Sequence, residues 1–401
     1  MLSTDVVVAG GGVAGLLIAS ALAPKVSVVL VEQNESLPQN KYWLTDANAV
    51  GTDTDLAACV DKFYDTLDFV AYDGLTATIK GKYCLWDTER LIGLLSARVL
   101  QNGAQLLTGH TLYSFRQEEH GILVRVNSHT IQAKLLIDCM GFGSPLVGAK
   151  NIATITGYYI LHGREIEVND NVRPIALDNV LVGRNPAFFE LFPTSKTTAH
   201  AAIILPSRNY KPERSLQREL SFILRKSHYA DQIRGETENA NKSYFGVVPV
   251  GRLHRPALDR IVFFGEAGQA NPAASATGLT RMLQTYRELG AGLEACLRAD
   301  RLEQKHLLRT IPPYMTPMNR VFQENLFESL LSFDSDRFRG LVEELRAYPD
   351  QVVNELIFAG FNFRSPDAFR LAVSAVSKPR GVLGRNILKS IVRFCTSGWL
   401  R

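Results

Sequence analysis

Asp5-Val6-Val7-Val8-Ala9-Gly10-Gly11-Gly12-Val13-Ala14-Gly15 is the stretch that decides the fold. Val6 to Ala9 is a short apolar run rich in β-branched residues, which predicts a buried parallel strand. The glycines lead directly into Leu16-Leu17-Ile18-Ala19-Ser20-Ala21-Leu22, a stretch that favours helix. A second apolar run, Val26 to Val31, ends on Glu32. Strand, turn, helix, strand and terminal acid thus follow in order within about thirty residues, the setting in which Gly-x-Gly-x-x-Gly reads as a dinucleotide-binding fingerprint.

Each position has a physical task. Gly10 allows the tight turn, Gly12 lets a pyrophosphate approach the backbone, and Gly15 lets helix and strand pack closely. The pyrophosphate would rest on the helix start at Val13 and Ala14, where free N–H groups and the helix dipole favour negative charge. Glu32, with Gln33 after it, would accept hydrogen bonds from ribose hydroxyls. A carboxylate there repels a 2′-phosphate, which disfavours NADP at this site.

Two further segments choose among dinucleotides. Lys134 to Asp138 is an apolar strand that enters a turn at Cys139-Met140-Gly141. Arg260 to Phe264 is another, running into Gly265-Glu266-Ala267-Gly268 and followed by Pro272 and Ala276-Thr277-Gly278-Leu279 ahead of a helical run. Both resemble flavin-binding elements of the p-hydroxybenzoate hydroxylase-like flavoproteins, and the resemblance implies FAD. It assigns Glu266 to the ribityl chain and the Thr277-Gly278 helix start to the flavin pyrimidine, whose reduced form is negative at N1–C2=O. Arg90, near the start of a helix expected over 88–100, would lie close to the cofactor. No second βαβ fingerprint is visible, so NADH or NADPH would serve only as a transient reductant.

The chain has 401 residues, a net charge of +4 and five scattered cysteines without a CxxC pair. That length favours more than one domain. The cysteine pattern reads as reduced thiols, and no signal peptide or spanning segment is evident, so a cytoplasmic protein is expected. The mild charge and absent motifs argue against nucleic acid. No metal-ligand spacing is present. The tail 378–401 is basic and acid-free, with apolar residues between the cations. Such a pattern fits either peripheral contact with an anionic membrane or a terminal helix packed on its own protein.

These segments lie far apart, so the expected fold is α/β (α+β overall), with a discontinuous Rossmann-like FAD-binding domain at 1–50, 80–150 and 250–300. Partly alternating runs at 157–168, 188–192 and 198–205 predict an antiparallel sheet for a substrate domain at 51–79 and 151–249. The sequence from 301 to 401 reads as a helical cap.

Along nearly its whole length the sequence resembles the lycopene cyclase family of FAD-dependent proteins. Carrying that likeness are the N-terminal motif, Tyr42-Trp43, Gly157 to Val168, Ala176-Leu177-Asp178, Phe188-Phe189-Glu190-Leu191-Phe192-Pro193 and the 265–278 motif. The family places adjacent glutamates in the hairpin after that proline, one of them the acid that protonates a polyene. Here Thr198-Ala199-His200-Ala201-Ala202-Ile203 stands in their place, with His200 its only titratable group. The absence shifts the expectation towards oxidation: an FAD-dependent oxidoreductase, foremost a monooxygenase, acting on a sizeable apolar (polyene, isoprenoid or polyketide-like) substrate in secondary metabolism. The alternatives are a redox-neutral cyclase or isomerase using reduced FAD, with Asp178 or Glu190 as acid, a double-bond reductase, and a scaffold whose FAD is only structural.

Overall fold

The computed structural model describes residues 2–38, 41–127, 129–149, 152–183, 185–210, 214–226, 229–236, 243–269, 271–313, 317–358 and 381–396. The apolar run after Ser3 forms the Leu2–Ala9 strand, which lies between Val28–Val31 and His129–Asp138 and is parallel to both. Val6, Val7 and Val8 are wholly buried because helices and a ribbon cover both faces, as a parallel sheet requires. The sheet runs Ala257–Leu258, Ile261–Phe263, His129–Asp138, Leu2–Ala9, Val28–Val31, Gln105–Leu107. An antiparallel ribbon of Leu112–Glu118 and Gly121–Val126 branches from His129–Asp138. Helices Val13–Leu22, Thr88–Gln101 and Gly278–Arg298 share one core with the sheet.

The second sheet runs Ile233–Glu236, Ala153–Val168, Thr198–Ser207, Asn185–Pro193, Ile175–Val182, Val60–Val70, Thr76–Trp86, Leu44–Asp46, and Ser243–Leu253 also pairs with Ala153–Val168. Its pairings are antiparallel, as the alternation suggested, apart from one parallel contact between Ile175–Val182 and Val60–Val70. The expected boundary at residue 80 falls inside the Thr76–Trp86 strand. The reason is that a long ribbon, Val60–Val70 with Thr76–Trp86, delivers the chain from this sheet to the helix that begins at Thr88.

Period-two alternation gives this sheet two different faces. Ile160, Phe189, Leu191, Ala201 and Ile203 point to one side, where Leu216, Leu220 and Ile223 of the Arg214–Lys226 helix cover them. Tyr159, Phe188 and Phe192 point to the other, towards Phe322, Phe327, Leu341, Leu345, Val353, Leu356 and Leu383 of the C-terminal helices. The last helix, Val382–Thr396, packs Leu383 and Ile387 into this core. Buried Ser390 accepts from Asn325 at 2.9 Å and Asn386 from Ser329 at 3.1 Å, so at least the first part of the basic tail lies on its own cap. Lys378 and Arg380, and residues 397–401, lie outside the described residues. Among the described residues no helix is long and apolar enough to cross a membrane.

Candidate functional site

A cavity of about 920 Å³ runs from the glycine turn of the first sheet to the floor of the second, under the helical cap. Its nucleotide end is built by local chemistry. Gly10, at φ +104°, is forced there because a Cβ would strike the carbonyl of Cys139. A Cβ on Gly15 would overlap the Gly10 carbonyl, so this glycine sets the closeness of helix and strand. Gly12 differs: a Cβ there would point into open space. Glu32, 5% exposed, accepts from Gly11 N–H at 2.7 Å and from Asn34 N–H at 2.9 Å, which holds its carboxylate at the cavity wall.

Farther in, Gly141 and Glu266 come together, with the position of a Gly141 Cβ 3.3 Å from a Glu266 carboxylate oxygen. The Asp138 side chain fixes that turn by accepting from Met140 N–H at 3.0 Å and from Ser144, and burial pushes its carboxyl up to about 6. Two helix starts, after Gly12 and after Thr277, reach the cavity without a side-chain cap. The Thr277 hydroxyl donates to Ile357 O at 3.0 Å, leaving the amide end of the Gly278–Arg298 helix for whatever occupies the cavity.

Gly10, Gly12, Val13, Ala14, Glu32, Gln33, Gly141, Glu266, Thr277 and Leu279 all line this cavity. Gly15, Gly265, Ala267, Pro272 and Gly278 lie behind it and shape its turns. A Cβ on Gly265 would meet that of Ala14, and one on Gly278 would meet Asn271. Arg90 departs from expectation. Its side chain is 64% exposed and pairs with Asp87 at 3.0 Å, because the aspartate that caps the Thr88–Gln101 helix also captures the guanidinium.

At the floor, Glu190 and His200 line the cavity and Asp178 does not. Asp178 is on the far face of the sheet, where the Tyr229 hydroxyl donates to it and Tyr229 packs on Phe189 at 5.1 Å. Burial pushes the Asp178 carboxyl up to about 7, yet it faces away from any substrate. Glu190 sits on the cavity face among Phe188, Phe192 and Ala202, and burial alone pushes its carboxyl up to about 8. At neutral pH it is therefore a carboxylic acid able to donate a proton. Glu190 lies directly across from Ala202, in the hairpin that lacks carboxylates. The neighbouring strand thus presents a carboxyl on the cavity face, beside a strand that has none there. His200, 3% exposed, lies against the Tyr42 ring at a tilt of 35°. Tyr244, which lies over Gly163, was missed; the isolated Gly163 within a strand was the available signal of a close approach. Among the described residues no group of His, Cys, Asp and Glu could hold a metal.

Fold and cavity together define a flavoprotein of Rossmann type. Residues 5–379 match the family model described as lycopene cyclase protein, and the chain belongs to that family. The lycopene beta cyclase of Capsicum annuum is 25% identical over 171 residues, 42% of this chain and 33% of that protein. The enzyme of Narcissus pseudonarcissus is 24% identical over 183 residues, 45% and 35% of the two chains. These matches thus span about a third of the relatives' length. Among solved structures, a mutant of halogenase PltM in complex with FAD aligns at TM-score 0.66 with 13% identity, covering 97% of this chain and 95% of that one. The OxyS anhydrotetracycline hydroxylase of Streptomyces rimosus aligns at 0.65 with 18% identity, covering 89% and 76%.

Proposed function

We propose that this protein is an FAD-dependent enzyme that cyclises or isomerises a sizeable apolar, polyene-like substrate without net redox change, with Glu190 as the proton donor. The observation that carries this reading is the position of Glu190, a half-buried carboxyl pushed up to about 8 in the cavity that also holds the dinucleotide fingerprint. The expectation of oxidation rested on the missing hairpin glutamates, and the cavity-facing Glu190 supports the redox-neutral alternative instead.

The residues present fit FAD. Open space at Gly12 and the uncapped helix start beyond it would receive the pyrophosphate, and Glu32 the adenosine ribose. Glu266 would take the ribityl hydroxyls, and the helix start after Thr277 would face the flavin ring. Reduced FAD, when bound, supplies a negatively charged ring that stabilises positive charge on a substrate carbon. The chain's own part is orientation and exclusion of water by Phe188, Phe192, Leu341, Leu356 and Leu383, and proton donation from the Glu190 carboxyl.

A second reading, monooxygenation of the same substrate class, is supported by the apolar lining that Phe188, Phe192, Leu341 and Leu356 give the same cavity. Lycopene supplied to the FAD-loaded protein under dithionite, without oxygen, separates the two. A product of unchanged mass is expected. A product heavier by one oxygen and formed only in air would establish the second reading, and a gain of two hydrogens would identify a reductase.

A further inference from the structure

The loop at 271–277, which leads into the Gly278–Arg298 helix, is tied by hydrogen bonds to both the floor and the cap. From the floor, the Tyr159 hydroxyl donates to Ala274 O at 2.7 Å. From the cap, Gln323 of the Pro317–Leu330 helix accepts from Ala274 N–H at 2.9 Å and donates to Leu356 O at 2.9 Å. Together with the Thr277 bond to Ile357 O, this fastens the loop at two points to the end of the Asp350–Ile357 helix. Gln323 is 1% exposed and lies behind the cavity wall. An N–H on one side and a carbonyl on the other fix which way its amide faces, and both ends are satisfied. A buried amide without such bonds would be costly, so this side chain earns its place by position and not by burial. Inside the loop, Ala276 stands at φ +55°, a left-handed conformation that a residue with a Cβ holds only under constraint. The ties at Ala274 and Thr277 bracket it and supply that constraint.

We propose that Gln323 is a positioning residue for the flavin: by fixing Ala274 to the cap it aims the helix start after Thr277, while touching neither cofactor nor substrate. The proposal rests on the reading of that helix start as the site of the flavin ring, and adds which residue behind the cavity sets its effect. On reduction FAD takes up two electrons and one proton, and the added negative charge lies at N1–C2=O. Free N–H groups and the helix dipole stabilise that charge, and the effect falls off within the first turn. Once released from Gln323, the loop lets Ala276 relax towards a commoner backbone conformation, and the helix start loses its aim. Reduced flavin then loses stabilisation that oxidised flavin never had, so the reduction potential falls.

The test is a reductive titration of the FAD-loaded protein with dithionite against a reference dye, without substrate. Gln323→Met fills similar space and makes neither bond. Its flavin is expected to favour the reduced state on the order of tenfold less than the parent's, the worth of one hydrogen bond to a charged group. For two electrons that is a potential about 30 mV lower. Tyr159→Phe, which removes the other tie to Ala274 and keeps its ring against Phe327, should shift the potential the same way. Ser329→Ala, on the same helix as Gln323, breaks a bond to Asn386 and leaves the loop alone, so it should hold the parental value. A parental potential in Gln323→Met or in Tyr159→Phe, or an equal shift in Ser329→Ala, overturns the positioning role and leaves the flavin reading standing. If Gln323→Met takes up no flavin, Tyr159→Phe decides by the same criterion. A parent that takes up no FAD, or whose bound flavin keeps the potential of free FAD, refutes the flavin reading of this helix start, and the positioning role with it.

Discussion

The two ends of the cavity are built on opposite principles. At the nucleotide end one contiguous segment supplies strand, turn, helix start and acid, and local contacts such as Gly11 N–H to Glu32 fix its geometry. At the floor Tyr244, Gly163, Ala202 and Glu190 come from four strands, and only sheet register unites them. A local fingerprint tolerates little change and is read from spacing. A cross-strand site can pass its acid from one strand to the next, keep the same face of the cavity, and leave no spacing to read.

The largest expected effect is at the floor. Glu190→Gln keeps the shape and removes the acid, and turnover of reduced holoenzyme should fall on the order of 100- to 10,000-fold with flavin content unchanged. The nucleotide end should respond the opposite way. Gly15→Val drives a side chain into the Gly10 carbonyl, an overpacking of at least about 1–3 kcal/mol, and should yield protein without flavin. Gly12→Ala meets open space, so melting should be unchanged while flavin titration shows weakened binding. If both glycine variants lose stability equally, the distinction between packing and cofactor approach at these positions fails.

Smaller effects sharpen the contrast between the two faces of the floor. Asp178→Asn should cost about 1–3 kcal/mol in denaturant unfolding, through its partner Tyr229, with turnover nearly unaffected. The raised Glu190 carboxyl has a pH signature. Between its ordinary value of 4.5 and about 8, the folded state holds a proton that the unfolded state has released. Stability is therefore lost as pH rises through that window, by up to about 1.4 kcal/mol per pH unit from this group. Glu190→Gln should melt progressively higher than the parent from pH 5 to pH 8 and hold that margin above it. The least effect is expected from Arg90→Ala, a surface pair worth less than about 1 kcal/mol, with flavin affinity unchanged.

Much of the nucleotide end was legible because glycine, helix start and acid occupy consecutive positions whose physical tasks are local. Arg90 was misplaced because sequence cannot show which way a first-turn side chain leans, and the capping Asp87 claims it. Asp178 and Glu190 were indistinguishable as candidates, since both sit in apolar strands. Register and a bulge between Ile175 and Asp178 decide which carboxyl meets the cavity. Tyr244 escaped notice because its neighbours come from strands remote in sequence.

The central claim is that Glu190 protonates carbon in a cavity shared with reduced flavin. Its most direct test is deuterium uptake from D2O into the product formed from lycopene by dithionite-reduced holoenzyme without oxygen, parent beside Glu190→Gln. The account predicts an isomeric product carrying one deuterium where the carbon was protonated, and loss of that product in the variant. Equal deuterium uptake by the variant, or an oxygen-containing product that requires air, would contradict it.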